Sequence, residues 1–529
     1  MSANTTAPAA RAGWRAWAGL AVLTLPTTLQ ALDVTVLYLA LPHLSTDLGA
    51  SATERLWIID VYGFMVAGLL VIMGTLGDRI GRRRLLVLGS AAFGAASVLA
   101  AYSTTPEMLI AARVLLGVAG ATLMPSTLAL ISTMFADPRQ RGLAFGVWAT
   151  SFSAGIALGP ILGGLLLEFF WWGSVFLLAV PVMVLLLATA PFLLPEYRDP
   201  AAGRLDLLSA LLSLAAVLPV VFGLKQLAKY GLEPVALAAI AAGAVFGVLF
   251  VRRQRRLADP LLDLRLFSGA AFSSALVVML LGLLLIGGIY LFVTQYLQSV
   301  AGLSPLVAGL WLLPAAVGLV IASTLAPLIA RRVRPAYVLA GSLALSTLGF
   351  LLLTRAVPED GVATVVVGFT LVYVGISPIM ALGTDLIVGS APPEKAGASA
   401  AVSETAMEVG VALGIAVLGS VGTAAYRLSM AGAMPAGTPS DAAAVASDGL
   451  EGAGRAAADL PAPVAGELLD AAAAAFTSSL TTVAWISAAL AVGIAVLAAV
   501  ALRRVPPTGA AAEETAAEGD PELQGSGHP

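Results

Sequence analysis

Cysteine is absent from this chain of 529 residues, and histidine occurs only at positions 43 and 528. Without cysteine there are no disulfides, no thiolate metal sites and no cysteine nucleophiles. Two imidazoles near opposite ends of the chain do not indicate a histidine-based metal site. We therefore predict no metal ligands and no cofactor.

Charge is also scarce in this sequence. Charged residues make up 11% of it and apolar residues 59%, whereas soluble domains carry about 25% charged residues. So few charges cannot build a water-facing surface for a chain of this length, so the bilayer must be its solvent. We predict an all-α polytopic membrane protein whose partners are the lipid bilayer and small molecules rather than nucleic acid.

Apolar stretches of about 20 residues, the length that crosses a bilayer, recur along the whole chain. They predict fourteen spans, arranged as six, two and six. The predicted spans are 17–42, 57–77, 85–103, 108–133, 142–167, 172–194, 205–226, 234–252, 271–298, 305–330, 336–354, 362–388, 397–421 and 479–502.

The distribution of lysine and arginine supports an even number of spans. With the N-terminus inside, 21 of the 28 basic residues fall on the cytoplasmic side, as the positive-inside bias requires. An odd number would place Arg503 and Arg504 outside, against that bias. We therefore expect a protein of the inner (cytoplasmic) membrane with both termini in the cytoplasm.

Two regions have a composition that does not suit a membrane. Residues from about Ala431 to Pro463 are rich in Ala, Gly, Pro and Asp, which predicts a loosely folded loop, and Val464–Phe476 could form a short amphipathic helix. The predicted segments are a cytoplasmic N-terminus (1–16), an N-terminal six-helix half (17–194), two inserted linker helices (195–270), a C-terminal six-helix half (271–504) with an outer loop at about 422–478, and a disordered cytoplasmic tail (505–529).

Five charged residues lie inside predicted spans, where charge is costly and usually functional. Asp33 lies midway along the first span, and a buried Arg113 needs a partner, for which Asp33 is the expected one. Protonation of Asp33 would then break the pair and couple proton binding to a conformational change. The alternative is a static pair that only holds two helices together.

Three further acids complete this set. Glu404 and Glu408 are four residues apart and share a helix face, so they resist joint ionisation in low dielectric and suit both proton exchange and attraction of an organic cation. Glu404 could instead be a solvated acid at a helix end. Asp60 would attract cations near the outer end of the second span, or be a satisfied polar residue near the headgroups.

Aromatic side chains hold organic cations without demanding one shape. Trp148, Tyr290 and Tyr373 are the favoured candidates for lining a central cavity, with ordinary packing as the alternative for each. The predicted substrate-binding residues are Asp33, Asp60, Glu404, Glu408, Trp148, Tyr290 and Tyr373.

Three stretches resemble signature motifs of the major facilitator superfamily. They are the turn Gly74–Arg84, Arg113 with Gly117, and the run Gly155–Gly164, which is similar to the motif typical of the antiporters in this family. The run Leu32–Pro42 and the count of fourteen spans resemble the fourteen-helix drug:proton antiporter branch, the quaternary ammonium or multidrug efflux type. The resemblance covers residues 15–505.

This resemblance implies a monomer with two six-helix halves plus two inserted central helices, working by alternating access. It implies proton-coupling roles for Asp33, Arg113, Glu404 and Glu408. It also implies a cytoplasmic gate of Gly74, Asp78, Arg79, Gly81, Arg82 and Arg83, and an antiporter motif of Gly155, Gly159, Pro160, Gly163 and Gly164. Two departures are Tyr38, where the family usually has Asn, and a tenth span without the acid found in some carriers of divalent cations.

The combined interpretation is an antiporter driven by the proton gradient, and not an enzyme. Its predicted cargo is lipophilic cationic compounds such as quaternary ammonium compounds, dyes and antiseptics. One alternative is a dedicated exporter of a single endogenous metabolite or antibiotic on the same fold. Another is a membrane sensor that transports nothing, although the sequence has no nucleotide-binding loop or soluble signalling domain to support it.

Overall fold

The structure is a computed structural model, and the regular secondary structure in the part of the chain it describes is all helical, with no strand. This confirms the all-α prediction, since helices satisfy their backbone hydrogen bonds internally where lipid offers none. The N-terminal arginine at position 11 and nearly all of the tail predicted at 505–529 lie outside the described residues. These are 12–135, 137–196, 198, 206–230, 233–257, 260, 264–359, 361–389 and 396–507.

Seventeen α-helices follow one another in the described residues, with a 3-10 turn at Leu264–Ser268 and a π turn at Tyr296–Val300 that continues α10. The helices are α1 Trp14–Leu48, α2 Ala52–Ile80, α3 Arg82–Ala101, α4 Pro106–Met134, α5 Pro138–Phe169, α6 Ser174–Leu177, α7 Ala179–Leu193, α8 Leu207–Tyr230, α9 Pro234–Gln254, α10 Ala270–Gln295, α11 Pro305–Ala330, α12 Pro335–Leu353, α13 Val362–Gly389, α14 Ala396–Ala433, α15 Ser440–Ala446, α16 Leu450–Ala458 and α17 Ala462–Ala501.

The number of membrane spans is supported only in part. Among the described residues, ten helices are long and apolar enough to cross a membrane, or up to twelve if two bent pairs in α1 and α5 each count as one span. The predicted spans 57–77 and 205–226 coincide with α2 and α8, which are not in that set. Fourteen spans therefore stays a prediction.

The long helices alternate between two ends of the bundle. We call one the basic end, because it carries the turns Gly81–Arg84 and Arg331–Arg334, and the other the capped end, because α15 and α16 lie there. Helices α8 and α9 pair with each other, and Arg253 Nη2 lies 2.8 Å from Asp206 Oδ1. Of this pair, α8 packs against both α2 and α14.

The two halves of the bundle meet near the capped end. A Cβ added at Gly164 of α5 would lie 2.6 Å from the carbonyl of Pro305, and one at Gly419 of α14 would lie 2.9 Å from Leu56 of α2. Near the basic end of α5, a Cβ added at Gly146 would meet nothing within 4 Å. The contact between α5 and α11 is therefore tight toward the capped end.

The structure corrects the prediction of a loosely folded segment from about Ala431 to Pro463, within the outer loop predicted at about 422–478. Helix α14 continues to Ala433, α17 begins at Ala462, and α15 and α16 fill the interval; the predicted short helix at Val464–Phe476 is the start of α17. The alanine that made this region look unstructured has the highest helix propensity of any residue.

Side-chain contacts hold α15 and α16 on the capped end. Arg55 pairs with Glu451, Arg427 Nη2 lies 3.0 Å from Asp448 Oδ1, and the Tyr426 hydroxyl donates to the Ala446 carbonyl at 3.0 Å. The cap is thus tied to α2 and α14, one helix from each half.

Candidate transport site

A buried ion pair joins α1 to α4. Arg113 Nη1 donates to Asp33 Oδ2 at 2.6 Å, and the two side chains are 1% and 12% exposed. Arg113 also donates through Nε to the Ile58 carbonyl at 3.1 Å, and its guanidinium carbon lies 4.5 Å from the ring centre of Tyr62. The structure thus brings together the two residues that were predicted to pair, since a buried guanidinium requires such partners.

The ion pair lies at a bend in α1. The segments Trp14–Asp33 and Thr35–Leu48 meet at 44°, and the neighbouring helix α5 bends by 41° between Ile156 and Leu158. Pro160 explains the second bend, because it cannot donate to the Ile156 carbonyl and its ring crowds that carbonyl. In α1, Thr35 Oγ1 donates back to the Ala31 carbonyl, four residues earlier, at 3.3 Å, a bond that often bends helices.

A glycine seam, formed by Gly155, Gly159 and Gly163, holds α5 against α1. These residues are four apart and share one face, and a Cβ at any of them would lie under 3.0 Å from Thr28, Thr35 or Val36 of α1. The other two residues of the predicted antiporter motif, Pro160 and Gly164, face α11 instead. The motif therefore sets two close helix contacts at once, one within a half and one between halves.

A central cavity of about 130 Å³ lies between the two halves. The acids Asp60 and Glu404 both line it, one from each half, and so does Arg113. Sites for drug-sized molecules usually enclose about 300–1,000 Å³, so the cavity must widen to take one. The remaining lining is largely apolar, with Phe152 and Ile156 from α5 and Met380 and Met407 from the C-terminal half.

Aromatic rings form one wall of the central cavity. The ring centre of Tyr290 lies 4.6 Å from that of Tyr38 and 5.8 Å from that of Tyr373, and all three side chains line the cavity. Within the described residues the Tyr290 hydroxyl is buried without a hydrogen-bond partner. Tyr38, the departure from the family pattern, thus adds a ring where Asn would add an amide.

Two of the predicted binding residues do not line this cavity. Asp33 lies behind Arg113, against a separate small void lined by Phe93 and Phe176. Trp148 lies on the same face of α5 as Phe152 but one turn closer to the basic end, where its Nε1 donates to Thr127 Oγ1 at 3.2 Å. A third predicted residue, Glu408, has its side chain outside the described part of the chain, although its backbone follows Glu404 by one turn in α14.

The turn Gly77–Arg84 at the basic end is tied to the end of α7. Gly81 has a φ of 110°, a conformation that favours glycine. The carboxylate of Glu196 forms ion pairs with two arginines, its Oε2 lying 3.5 Å from Arg83 Nε and 3.7 Å from Arg84 Nε.

Other predicted gate residues make further contacts in the same region. Arg82 Nη1 lies 3.5 Å from the Pro125 carbonyl of α4, the Arg79 carbonyl accepts from Arg198 at 3.0 Å, and Gly74 has room for a Cβ 3.8 Å from Pro125. The Asp78 side chain lies outside the described residues.

Sequence reasoning missed two residues of these sites. Tyr62 provides the ring beside Arg113, and its signal was an aromatic residue two positions after an intramembrane acid. Glu196 provides the carboxylate beside the arginines, and its signal was an acid two residues after the end of the sixth predicted span.

Comparison with known proteins agrees with this architecture. The family model of the Major Facilitator Superfamily matches residues 23–415. The multidrug efflux pump LfrA of Mycolicibacterium smegmatis is 46% identical over 490 residues, which cover 93% of this chain and 97% of that protein. The methyl viologen resistance protein SmvA of Salmonella typhimurium is 37% identical, over 88% of this chain and 93% of that protein.

The fold is also that of solved transporters. A bacterial homolog of the human lysosomal transporter Spinster, in an inward-facing and unoccupied conformation, superposes with a TM-score of 0.62 at 16% identity, over 92% of this chain and 98% of that chain. The multidrug efflux pump among the relatives agrees with the drug:proton antiporter branch that the motifs resemble. This chain belongs to the Major Facilitator Superfamily and is a transporter rather than an enzyme.

Proposed function

We propose that this transporter exports lipophilic cations in exchange for protons by alternating access. The observation that carries the proposal is the position of Arg113. Its guanidinium lines the central cavity while also binding the buried carboxylate of Asp33, which lies outside that cavity. Proton and cargo therefore have separate binding groups with one charged side chain between them.

The electrostatics of this arrangement give antiport. When Asp33 is ionised, its charge compensates Arg113, and a cation can bind beside Asp60 and Glu404. When Asp33 takes a proton, Arg113 is left with the Ile58 carbonyl and the Tyr62 ring, and its charge repels a cation in the cavity. Binding of a proton thus weakens binding of the cargo without the two sharing an atom, because charges interact strongly in low dielectric.

The name of one relative supports a cationic cargo. SmvA is a methyl viologen resistance protein and LfrA a multidrug efflux pump, and methyl viologen is a flat aromatic dication. Asp60, Glu404 and the four tyrosine side chains that line the central cavity suit such molecules through charge and cation–π contacts.

The proposed orientation places the basic end in the cytoplasm, as the positive-inside bias requires. The contact between α5 and α11 closes the bundle toward the capped end, so cargo would reach the central cavity from the cytoplasm. We propose a monomer in the inner membrane that needs the proton gradient and no cofactor.

Transport by purified protein in proteoliposomes with an imposed pH gradient tests this proposal. Tetraphenylphosphonium, a monocation, and methyl viologen, a dication, should both accumulate in the compartment of lower pH, and an ionophore that collapses the pH gradient should abolish accumulation. One-for-one exchange of a proton for a monocation moves no net charge, so its rate should not respond to an imposed potential, which is worth about 2.3 kcal/mol per charge at 100 mV.

Three outcomes would contradict the proposal. Accumulation of the cation that does not depend on the pH gradient would rule out proton coupling. Transport of one compound only, out of a panel of cations, would favour a dedicated exporter. Absence of any flux from protein that binds these cations would favour a sensor.

Tyr290 offers a test of the aromatic wall. Tyr290→Leu should weaken binding of tetraphenylphosphonium by about 2- to 30-fold, the range expected for loss of a cation–π contact of about 0.5–2 kcal/mol. Tyr290→Phe keeps the ring and removes a buried hydroxyl without a partner among the described residues, so affinity should stay within about twofold and thermal stability should not fall. Isothermal titration on both variants measures this, and equal losses in both would assign the effect to the hydroxyl.

A further inference from the structure

We propose that a second cavity, at the capped end, is a binding site for an amphipathic organic cation on its way out of the protein. The inference rests on the proposed export function, because it takes the cargo of the central cavity as its ligand. The ligand class is a positively charged nitrogen or phosphorus centre carried on an aromatic or aliphatic body.

The capped-end cavity is much larger than the central one, at about 1190 Å³. It lies between the ends of α1 and α5, the π turn after α10, and helices α16 and α17. Such a volume accepts drug-sized molecules without any widening. The lining residues that carry the argument are Asp47, Trp171, Trp172, Gln298, Pro305 and Asp470.

Its position places it directly after the contact between the halves. Pro305 lines the capped-end cavity, and its carbonyl is also the atom nearest to Gly164, where α5 closes against α11. A molecule that passes this contact on its way out of the central cavity would therefore arrive in the capped-end cavity.

Carboxylates and indole rings line the cavity side by side. Trp172 Nε1 donates to Asp47 Oδ2 at 2.7 Å, which fixes a carboxylate beside an aromatic ring. Trp171 is 47% exposed, and Asp470 of α17 is an exposed acid that also lines the cavity. Glu451 also lines the cavity but is paired with Arg55, and Arg455 and His43 are the basic side chains present. Aromatic faces combined with carboxylates are the chemistry that binds organic cations.

Gln298 indicates that the cavity is built to hold a polar group. This side chain is 9% exposed, and within the described residues neither its amide nitrogen nor its oxygen has a hydrogen-bond partner. A buried amide left in that state costs free energy. It sits on the π turn Tyr296–Val300, and π turns inserted in α-helices occur frequently at functional sites. The amide oxygen would face the positive centre of a bound cation, which attracts its partial negative charge, and water would satisfy the amide nitrogen.

Equilibrium binding of radiolabelled tetraphenylphosphonium to the full chain tests this site. In nanodiscs of phosphatidylcholine and phosphatidylglycerol, the wild type should show two classes of site. The double variant Asp47→Asn with Asp470→Asn keeps the acceptor for Trp172 and removes two charges, so it should weaken one class about tenfold. Gln298→Leu should weaken binding to the same class of site. Asp60→Asn should weaken binding to the other class, in the central cavity. Asp441→Asn, which changes an exposed acid of α15 outside the cavity, should weaken neither.

Two results would overturn the inference. One is a single class of site in the wild type that Asp60→Asn alone affects. The other is loss of the capped-end class when phosphatidylethanolamine is added to the nanodiscs, which would assign the cavity to a lipid amine. Trp171→Ala, a change at a half-exposed side chain, replaces the double variant if that variant does not fold. Failure of proton-driven transport with both binding classes intact would instead contradict the proposed function.

Discussion

Replacing Asp33 by Asn is expected to lower proton-driven efflux by about a hundredfold, to the leak of liposomes without protein. The amide cannot take up and release a proton, so the positive charge of Arg113 can no longer be alternately compensated and left uncompensated. The introduced amide still offers an oxygen to Arg113 Nη1, which lies 2.6 Å from the carboxylate in the wild type. Stability should therefore fall by only about 1–3 kcal/mol, less than for loss of both acceptors.

The variant also imitates the protonated state, which gives a second readout. In the wild type, affinity for a lipophilic cation should rise with pH, because deprotonation of Asp33 compensates Arg113. In Asp33→Asn the affinity should be low, with a flatter pH profile that reflects the remaining acids, among them Asp60 and Glu404, which face the cavity. Cation-for-cation exchange needs no proton and should continue.

Matched variants separate coupling from folding. Asp33→Glu keeps a titratable carboxyl and should retain part of the efflux, whereas Asp441→Asn, on exposed α15, should retain all of it. Normal proton-driven efflux by Asp33→Asn in everted vesicles would show that the pair is static and only holds α1 to α4.

Gly159→Ala, which adds one methyl group, is expected to have the second largest effect on transport, after Asp33→Asn. The new Cβ would collide with both Oγ1 and Cβ of Thr35, the latter at 2.8 Å, so rotation of the threonine side chain cannot relieve it. Helices α1 and α5 would have to separate beside the ion pair. We expect Gly159→Ala to lose about 1–3 kcal/mol of stability and most transport activity, although alanine is the better helix former.

A control substitution on the same helix is expected to raise stability instead of lowering it. Gly146→Ala meets nothing within 4 Å, so it should stabilise α5 by up to about 1 kcal/mol through helix propensity alone. Combining Gly159→Ala with Thr35→Gly removes the side chain that collides with the new methyl group. The double variant should therefore recover part of the lost stability and transport. Thermal unfolding in detergent and efflux in vesicles measure both effects; an equal gain at positions 146 and 159 would refute the glycine seam.

Part of this site could be predicted from the sequence because charge inside a span is so restricted. A buried arginine in the first half had one intramembrane acid to meet in α1, and the structure shows that pair. The spacing by four of the α5 glycines is likewise visible in the sequence, and small residues on one face permit close helix approach. Both features depend on the chemistry of single residues, a buried charge that needs a partner and a glycine that allows close contact. Such chemistry is visible in the sequence without coordinates.

Other features depend on the depth and rotation of each helix, which an almost wholly apolar helix does not encode. Trp148 and Phe152 share a face of α5, and only the second reaches the central cavity, because the cavity ends one turn away. The composition of the segment between α14 and α17 resembled a linker, yet its alanines form α15 and α16 once ion pairs anchor them to the bundle. The capped-end cavity had no sequence signal, since its walls come from five separate segments.

Because α1 is bent near Asp33, a small change in the angle of this bend would move the far end of the helix through a much larger distance. The arm of α1 from Asp33 back to Trp14 is about 29 Å long at about 1.5 Å per residue. A change of about 10° in its 44° bend would carry the Trp14 end through about 5 Å, and the glycine seam would carry the arm of α5 with it. If proton exchange at Asp33 changes this bend, as the proposed mechanism requires, the Trp14 end of α1 would move by about the width of an aromatic ring.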